Sequence, residues 1–273
     1  MTENVIDIDG LHVGYDDRMV CRDVNLVVPT GSYTAIIGPN ACGKSTLLRA
    51  IARLLPVGGG SVLLNGRDIA TVRTRDVAKQ LGLLPQSSVA PEGITVADLV
   101  ARGRYPHQRM FDRFSRDDEK AVREALEATS TASISGRQVD ELSGGQRQRV
   151  WLAMVLAQQT PILLLDEPTT FLDIAHQYGL LELFDSLRTE HGRTVVVVLH
   201  DLNQAARFAD YLIVMKEGQV VAAGDSTSVI TADIVESVYG LRCRVEPDPE
   251  TGTPMVIPRA GRCVMSAQRE PSR

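Results

Sequence analysis

The sequence predicts an α/β fold with a mainly parallel sheet, and three observations lead to it. Short runs of β-branched and aliphatic residues alternate with helical patterns along most of the chain. The apolar run Tyr33–Ile37 is followed by a glycine-containing loop and then by a helical pattern over Lys44–Arg53. Between Thr95 and Gln159 the spacing is helical, which predicts an α-helical insert in the α/β core.

The start of the chain differs from the rest of the predicted core. Val5–Val13 and Val24–Val28 are apolar strand patterns, and Asp16 and Asp17 between them are typical of a turn. These patterns predict an antiparallel β subdomain ahead of the glycine-containing loop.

The remaining elements follow in chain order. Further strands are predicted at Ser61–Leu64, Leu81–Leu84, Ile162–Leu165, Thr194–Leu199 and Tyr211–Lys216. Further helices are predicted at Thr95–Arg102, Arg116–Ala128, Gln146–Gln159, Ile174–Glu190 and Leu202–Ala209. The stretch after Ser226 is rich in proline and predicts no particular element. We expect residues 1–94 and 160–225 to form the core, 95–159 a helical subdomain, and 226–273 a C-terminal extension.

Composition and charge narrow the class of protein. The 273 residues carry 29 lysines and arginines against 34 aspartates and glutamates, a net charge of −5, which argues against a nucleic-acid partner. A hydrophobic fraction of 44% excludes a disordered chain. We find no apolar run long enough to cross a bilayer and no secretory signal. The four cysteines have no metal-binding spacing, so we expect free thiols.

The segment Gly38–Ser45 matches the phosphate-binding pattern G-x-x-x-x-G-K-[ST] without a gap. It lies between a predicted strand and a predicted helix, as this motif requires. Backbone N–H groups of such a loop and of the helix N-terminus bind phosphate oxygens. We expect Lys44 to neutralise phosphate charge and the Ser45 hydroxyl to bind Mg²⁺. Cys42 is expected to be a small loop residue and not a nucleophile.

A second motif, Ile162–Glu167, is an apolar strand that ends in two carboxylates. Taken alone, the pair is as compatible with an exposed acidic turn as with a functional site. Beside a phosphate-binding loop, Asp166 suits the Mg²⁺ shell and Glu167 suits the polarisation of an attacking water.

Four predicted strands lead into polar residues of interest. One leads into the phosphate-binding loop, and the others lead to Gln86, Asp166 and His200. In open α/β sheets, ligands bind at the carboxyl ends of the strands, so parallel strands would bring these residues into one site. Taken singly, Gln86 or His200 is more often an ordinary loop residue.

The segment Leu142–Gln146, with sequence LSGGQ, precedes the helical pattern Arg147–Gln159. Together with the phosphate-binding loop, Asp166–Glu167 and His200, it resembles the ATP-binding subunit of ABC transporters. The resemblance covers nearly the whole chain. It implies a P-loop NTPase-type ABC ATPase domain with an antiparallel β subdomain and an α-helical insert. The cofactors it implies are ATP and Mg²⁺.

The resemblance also implies a role for each matching residue. Tyr15 resembles the aromatic residue that stacks on adenine, and Asp173 lies in the loop that crosses between two ATP sites. Glu167, His200 and Gln86 are implied to be catalytic. The implied metal ligands are Ser45, Gln86 and Asp166. The implied ATP-binding residues are Tyr15, Gly38, Pro39, Asn40, Ala41, Cys42, Gly43, Lys44, Ser45 and Thr46. The signature residues, implied to contact ATP held by the opposite subunit, are Leu142, Ser143, Gly144, Gly145 and Gln146.

Two residues depart from the commonest family pattern. Ala41 stands where glycine is frequent, and it would be strained if the position needs a positive φ. Phe171 stands in the crossing loop, where small residues are common. Neither change removes a chemical group, so the predicted ATPase activity is unaffected.

One copy of each motif is sufficient if two chains pair in a symmetric homodimer, because each phosphate-binding loop then faces the other chain's signature motif. The resemblance further implies two integral-membrane permease partners, an external siderophore-binding protein that acts indirectly, and a peripheral position on the cytoplasmic face of the cell membrane.

The segment Ala101–Gln108 is similar to the GRYPHQ segment of ferric-siderophore import ATPases, and Val150–Gln158, Asp201–Ala205 and Asp248–Met255 are similar to other segments of that group. The likeness is greatest to ATPases of ferric enterobactin import, so we expect a ferric-siderophore cargo. Haem and vitamin B12 importers share the architecture and remain alternatives. A non-transport ABC ATPase, such as one of iron–sulfur cluster assembly, is the second alternative.

A cationic cluster lies between Gln86 and the signature motif. A solvated helix end is one interpretation. We favour a docking site for a cytoplasmic helix of the permease, in which case reversing Arg102 and Arg104 to Glu would uncouple transport and leave basal ATP hydrolysis intact. The members of the cluster are Arg102, Arg104, Tyr105, Arg109, Phe111, Arg113, Phe114 and Arg116.

Overall fold

The structure is a computed structural model, and it describes residues 4–16, 18–108 and 114–260. The strands are β1 (Asn4–Tyr15), β2 (Arg18–Pro29), β3 (Tyr33–Ile37), β4 (Gly59–Leu64), β5 (Arg67–Asp68), β6 (Leu81–Leu84), β7 (Ile162–Asp166), β8 (Thr194–Val198), β9 (Tyr211–Lys216), β10 (Gln219–Gly224), β11 (Cys243–Pro247) and β12 (Pro254–Pro258). The α-helices are α1 (Lys44–Ile51), α2 (Thr74–Ala78), α3 (Val96–Ala101), α4 (Arg116–Ala128), α5 (Gly144–Ala157), α6 (Ile174–Thr189), α7 (Leu202–Phe208), α8 (Ser226–Val229) and α9 (Ala232–Tyr239).

The central sheet has six strands in the order β10-β9-β3-β8-β7-β6. Neighbours from β9 to β6 run parallel, and β10 pairs antiparallel with β9 at the edge. The sequence prediction of a mainly parallel sheet is therefore confirmed. Because β3, β6, β7 and β8 are parallel, the loops that follow them leave the sheet at the same edge.

Both faces of the sheet are covered at its central strands β3, β7 and β8, which explains why these strands are buried at every position and not at alternate ones. Leu163 and Leu165 of β7 pack into one core with helices α3, α5 and α6, while Ile162 and Leu164 pack into the other core, with α1 and the second sheet. The edge that carries the loops is thus fixed by two layers of packing.

The second sheet is antiparallel, with the strand order β2-β1-β4-β5, and it confirms the predicted antiparallel start of the chain. It packs on α1, the helix that follows the phosphate-binding loop. The prediction for Ser61–Leu64 is confirmed as β4, and the short strand β5 was not predicted.

Helices α3, α4 and α5 lie between β6 and β7 in the chain and pack against one another. Ser115 caps α4 and Ser143 caps α5, each in a reciprocal pair of side-chain and backbone hydrogen bonds with the residue three positions later. The capping explains why α5 begins at Gly144, two residues before the predicted start at Gln146.

The interpretation of Arg104 as part of an exposed cationic cluster is wrong. Its side chain is buried, donates from Nε to Asp118 Oδ1 at 2.8 Å, and donates from Nη1 to the Ala157 carbonyl at 2.8 Å. It therefore joins the start of α4 to the end of α5. Arg102, Tyr105, Phe114 and Arg116 are exposed, whereas Arg109, Phe111 and Arg113 lie outside the described residues.

The C-terminal stretch, for which no elements were predicted, contains α8, α9 and the hairpin β11–β12. Asn203 of α7 forms two hydrogen bonds with the backbone of Val256 in β12, so the hairpin is fastened to the helix that follows His200. None of the helices in the described part of the chain is long and apolar enough to cross a bilayer.

Candidate functional site

The phosphate-binding loop connects β3 to α1, and its backbone needs glycine at two points. Gly38 has φ 153°, and a Cβ there would meet the Met215 carbonyl oxygen at 2.2 Å. Gly43 has φ 106°, and a Cβ would lie 2.9 Å from Cys21 Sγ. Ala41 has φ 61° and therefore lies in the left-handed region. A residue other than glycine is strained there, as expected for alanine at this position. The loop therefore keeps its geometry at a local conformational cost.

Lys44 is buried in this loop. Its Nζ donates to the carbonyl oxygens of Gly38 and Pro39, both at 2.8 Å. The first N–H groups of α1 have no helical acceptor and extend from the same loop. A buried ammonium beside free backbone donors is an arrangement that attracts phosphate.

The two buried thiols near the loop are poor nucleophiles. Burial raises the pKa of Cys21 to about 11, and burial also raises the pKa of Cys42 although Lys44 acts in the opposite direction. Both side chains are therefore protonated at neutral pH, as expected for a small loop residue at position 42. Cys243 is likewise a free, buried cysteine, and Cys263 lies outside the described residues.

Ser45 and Asp166 meet at the edge of the sheet. Ser45 Oγ donates to Asp166 Oδ1 at 2.8 Å, and the nearby backbone of Gln86 lowers the pKa of this carboxyl group. Asp166 Oδ2 is buried and has no hydrogen-bond partner within the described residues. Burial raises the pKa of Asp166, with Ser45 opposing the rise and Glu167 adding to it. A hydroxyl and an unpaired buried carboxylate oxygen fit the oxygen ligands that Mg²⁺ prefers.

Glu167 and His200 come from the ends of two adjacent parallel strands, β7 and β8. Glu167 Oε1 lies 2.7 Å from His200 Nε2. The glutamate side chain is 12% exposed and the histidine side chain is 44% exposed, so solvent reaches this pair mainly at His200. Glu167 has φ 53°, a conformation that costs of order 1–3 kcal/mol for a residue other than glycine. The turn after β7 directs this carboxylate towards His200.

Tyr15 lies at the end of β1, and its hydroxyl accepts a hydrogen bond from Arg49 Nη1 at 3.0 Å. The ring is 40% exposed. Arg49 belongs to α1 and also exerts a charge effect on Asp166. The structure therefore places Tyr15 beside the helix that begins at the phosphate-binding loop. Nothing in the sequence pattern indicated a role for Arg49.

The signature segment and the crossing loop pack against each other. A Cβ on Gly145 would lie 3.1 Å from Leu172 Cδ2 and 3.4 Å from the Phe171 carbonyl oxygen. Gln148 donates to the Pro168 carbonyl at 3.4 Å. Asp173 caps α6, and the backbone and side chain of His176 lower the pKa of its carboxyl group.

The predicted residues thus fall into two groups on this chain. Tyr15, the phosphate-binding loop, Gln86, Asp166, Glu167 and His200 surround one edge of the sheet. The parallel-strand argument predicted this for four of them, namely the loop, Gln86, Asp166 and His200. The signature segment Leu142–Gln146 lies beside the crossing loop. Within residues 4–16, 18–108 and 114–260, no hydrogen bond joins that segment to the phosphate-binding loop.

Tyr239 is a contact of the phosphate-binding loop that sequence reasoning missed. It belongs to α9, burial raises the pKa of its hydroxyl, and the nearby backbone of Gly38 opposes that rise. The apolar spacing of α9 was available as a signal, but nothing in it indicated that the helix returns to the loop 200 residues earlier.

Comparison with known proteins identifies the family. The family model described as ABC transporter matches residues 21–170, which is just over half of the chain. The chain belongs to the ABC transporter family. Proteins with this cassette are ATPases, and in importers ABC cassettes act as dimers with permease partners.

Two curated relatives match this ABC ATPase over nearly its full length. The ferric enterobactin transport ATP-binding protein FepC of Escherichia coli (strain K12) is 51% identical, and the match covers 94% of this chain and 96% of the relative. The probable siderophore transport system ATP-binding protein YusV of Bacillus subtilis (strain 168) is 50% identical, covering 97% of each chain.

Two solved structures share the fold of this ABC ATPase. A metal-chelate type ABC transporter in an inward-facing conformation has a TM-score of 0.80 at 24% identity, covering 94% of this chain and 98% of that one. The dimeric ATP-binding cassette MJ0796, bound to ADP and Pi, has a TM-score of 0.72 at 28% identity, covering 81% and 98%. The predicted fold class is thereby confirmed.

Proposed function

We propose that this ABC ATPase powers the import of ferric siderophores through partner permeases. The observation that carries the proposal is the near full-length identity of 51% and 50% to two siderophore-transport ATP-binding proteins. The two matches cover 94% and 97% of this chain, so they reach beyond the ATP-binding motifs that all ABC ATPases share and take in the helical segment and the C-terminal hairpin. Those two regions are where the sequence carries its resemblance to siderophore importers.

In the proposed reaction, Glu167 orients and polarises the attacking water, and His200 contacts the γ-phosphate. The 2.7 Å contact between the two side chains supports this assignment, because it fixes the carboxylate at the open side of the site. Lys44 and the backbone N–H groups around it bind the phosphates. Tyr15 stacks on adenine at the position where Arg49 holds its hydroxyl.

Mg²⁺ is the second cofactor of the proposed function. Ser45 Oγ and Asp166 would hold it, with Gln86 beside them, and Asp166 Oδ2 has a free, buried lone pair for this purpose. When bound, the ion would neutralise charge on the β- and γ-phosphate oxygens. Residues of the chain supply one carboxylate, and Mg²⁺ sites of nucleotide enzymes commonly use one or two.

We propose a homodimer in which each signature segment completes the ATP site of the other chain. Two features support it. In the described residues, no hydrogen bond joins the signature segment of a chain to the phosphate-binding loop of the same chain. The MJ0796 cassette, which shares this fold, is dimeric. Phe171 in the crossing loop and Ile174 just after it are 78% and 73% exposed and would be covered in such a dimer. The N-terminus of α5 would then face an anion.

Two integral-membrane permeases would place the ATPase at the cytoplasmic face of the cell membrane, with an external siderophore-binding protein acting indirectly. Arg102, Tyr105 and Phe114 line a cleft of about 360 Å³ on the helical segment, and we propose that a cytoplasmic permease helix docks there. Arg104 is not part of this surface, so the test becomes Arg102→Glu alone. Uptake should fall while basal ATP hydrolysis stays at the wild-type rate; unchanged uptake would exclude the docking site.

The proposed organisation of the chain follows from this assignment. Residues 1–94 and 160–225 form the nucleotide-binding core, residues 95–159 the helical subdomain with the signature segment, and residues 226–273 the C-terminal extension. The packing of helices α3, α4 and α5 on one another supports the second of these units.

Uptake of radiolabelled ferric siderophore in cells that carry wild type or Glu167→Gln tests the cargo. Haem and vitamin B12 uptake run in parallel. Selective loss of ferric-siderophore uptake supports the proposal. Loss of haem or B12 uptake would keep the mechanism and change the cargo, and no change in any uptake, with ATP hydrolysis intact in wild type, would favour a non-transport ABC ATPase.

A further inference from the structure

Two glutamines outside the ATP-binding motifs join the helix that follows the crossing loop to the helix that follows His200. Gln204 of α7 is 5% exposed, and its Nε2 donates to Gln177 Oε1 at 3.0 Å. Gln177 of α6 donates in turn from its own Nε2 to the Leu172 carbonyl oxygen at 3.0 Å. A polar side chain as buried as Gln204 costs stability unless it is hydrogen-bonded, so this contact is a specific one.

The direction of both hydrogen bonds is fixed by chemistry. The Leu172 carbonyl can only accept, so the NH₂ group of Gln177 must face it and its Oε1 must face α7. Gln204 must then present its NH₂ group to that oxygen. A glutamate at either position would lose a donor that the arrangement requires.

The two hydrogen bonds close a ring through the site. The Leu172 backbone N–H donates to the Thr169 carbonyl at 3.3 Å, and the Thr170 hydroxyl donates to Glu167 Oε2 at 3.5 Å. Glu167 contacts His200, and the next residue, Asp201, accepts from the backbone N–H groups of Asn203 and Gln204 in α7. The glutamine pair is the part of the ring that connects the crossing loop directly to α7.

We propose that Gln177 and Gln204 are positioning residues for ATP hydrolysis. They hold the crossing loop and the start of α7 in one arrangement, so that a shift of the crossing loop changes the alignment of His200 with Glu167. In the proposed dimer the crossing loop contacts the second chain. Through the glutamine pair, that contact would affect the alignment of the hydrolytic residues. The inference rests on the ATPase activity of the chain and does not depend on its cargo.

The test is steady-state ATP hydrolysis by the purified full chain carrying Gln177→Leu, Gln204→Leu or both. A displacement of reacting groups by a fraction of an ångström lowers turnover strongly, and we expect kcat to fall roughly tenfold with KM for ATP within about twofold of wild type. The double variant should have the same kcat as either single variant, because the loss of one glutamine already breaks the hydrogen-bonded connection between the crossing loop and α7. Unchanged kcat, or losses that multiply in the double variant, would overturn the proposal.

Two further variants separate positioning from packing. Gln177→Glu preserves the shape of the side chain but places a carboxylate against the Leu172 carbonyl. Its kcat should therefore fall as far as that of Gln177→Leu. A wild-type kcat in Gln177→Glu would show that only side-chain volume matters and would also overturn the proposal. Gln80→Leu is the matched control, because Gln80 is half-buried and accepts from Asn65 Nδ2 at 3.0 Å in a similar amide pair away from the site. Its kcat should equal that of wild type, and an equal loss there would again argue against a specific link.

Discussion

The nucleotide half and the signature half of this chain are built in opposite ways. Around the phosphate-binding loop, Lys44 and Asp166 are buried and bonded by neighbouring residues of the same core. Around the signature segment, Ser143, Gly144 and Phe171 are exposed, and their contacts are with the crossing loop and the cap of α5. One half is preorganised by the fold, whereas the other half presents a capped helix end to the outside.

This difference indicates how a single cassette can be stable and yet depend on a partner for activity. In the nucleotide half, Lys44 Nζ and Asp166 Oδ1 have hydrogen-bond partners inside the chain, and among the described residues only Asp166 Oδ2 of these two side chains is left without one. Exposed glycines at a helix N-terminus cost little stability and leave backbone donors for an anion supplied from elsewhere. The glutamine pair Gln177–Gln204 connects the two halves at the crossing loop.

The largest expected effect comes from Glu167→Gln, which removes the carboxylate and keeps the shape of the nucleotide half. Turnover should fall about 100- to 1000-fold, because a positioned general base contributes rate in that range. ATP affinity should stay near wild type, since the phosphate-binding loop is untouched, and an ATP-bound dimer should accumulate. Phosphate release and size-exclusion chromatography with ATP measure both.

Glu124→Gln is the control for that variant, because Glu124 is an exposed glutamate of α4 whose partner is Lys120. It should hydrolyse ATP at the wild-type rate. Near-normal turnover in Glu167→Gln would refute the role given to Glu167 and would leave the strained turn after β7 without a catalytic reason.

A mixing experiment tests directly whether the nucleotide half of one chain works with the signature half of the other. Lys44→Ala disables the nucleotide half and Ser143→Arg disables the signature half, so each variant alone should lose most of its turnover. In a heterodimer of the two, both defects fall in one composite site and the other site is intact. Mixing the two variants in equal amounts should therefore restore up to roughly a quarter of wild-type activity, since half the dimers are mixed and each has one working site.

No recovery on mixing, with both variants folded and Ser143→Arg still binding ATP, would contradict the composite site. The mixture of Lys44→Ala with Glu167→Gln serves as the control, because both defects lie in the nucleotide half. In that heterodimer each site has one defect, so turnover should remain low.

The sequence was sufficient for the parts of the site that depend on local pattern. The apolar runs of β3, β7 and β8 are continuous because both faces of the sheet are buried, and each run ends at the residue that enters the site. The parallel order then brings Gln86, Asp166 and the phosphate-binding loop to one edge. Such strand ends are predictable because a buried parallel strand has a pattern of its own.

Contacts between distant segments were not predictable from pattern. Arg104 is adjacent to Arg102 and Tyr105 in a basic, aromatic segment, and only the packing of α4 on α5 decides that its guanidinium is buried against Asp118. Likewise, Asn203 and Gln204 are two polar residues in an ordinary helix until the fold sets β12 against one and Gln177 against the other. The partner of Asn203 lies 53 residues away in sequence and the partner of Gln204 lies 27 residues away.

The third prediction compares the contributions of buried Arg104 and its exposed neighbour Arg102 to the stability of the signature half. Arg104→Met leaves Asp118 buried without its partner, which costs about 3–5 kcal/mol in unfolding free energy. Arg102→Met, on the solvent side of the same turn, should change it by less than about 0.5 kcal/mol. Urea unfolding followed by circular dichroism measures both. Equal stabilities of the two variants would mean that Arg104 does not hold α4 against α5.

The smallest effect is the acid dependence of that same contact. Burial raises the pKa of Asp118, but hydrogen bonds from Arg104 and Ser115 outweigh it and lower the pKa from 3.8 to about 2. A carboxyl group with a lowered folded-state pKa stabilises the protein above its unfolded pKa and loses that contribution as the pH falls through the folded value. The difference in unfolding free energy between wild type and Asp118→Asn should therefore narrow by about 2 kcal/mol between pH 4 and pH 2. Asp117→Asn, which removes a neighbouring exposed acid from the same turn, is the matched control. A difference that stays constant over that pH range would show that the Arg104–Asp118 pair does not carry the acid sensitivity of the signature half.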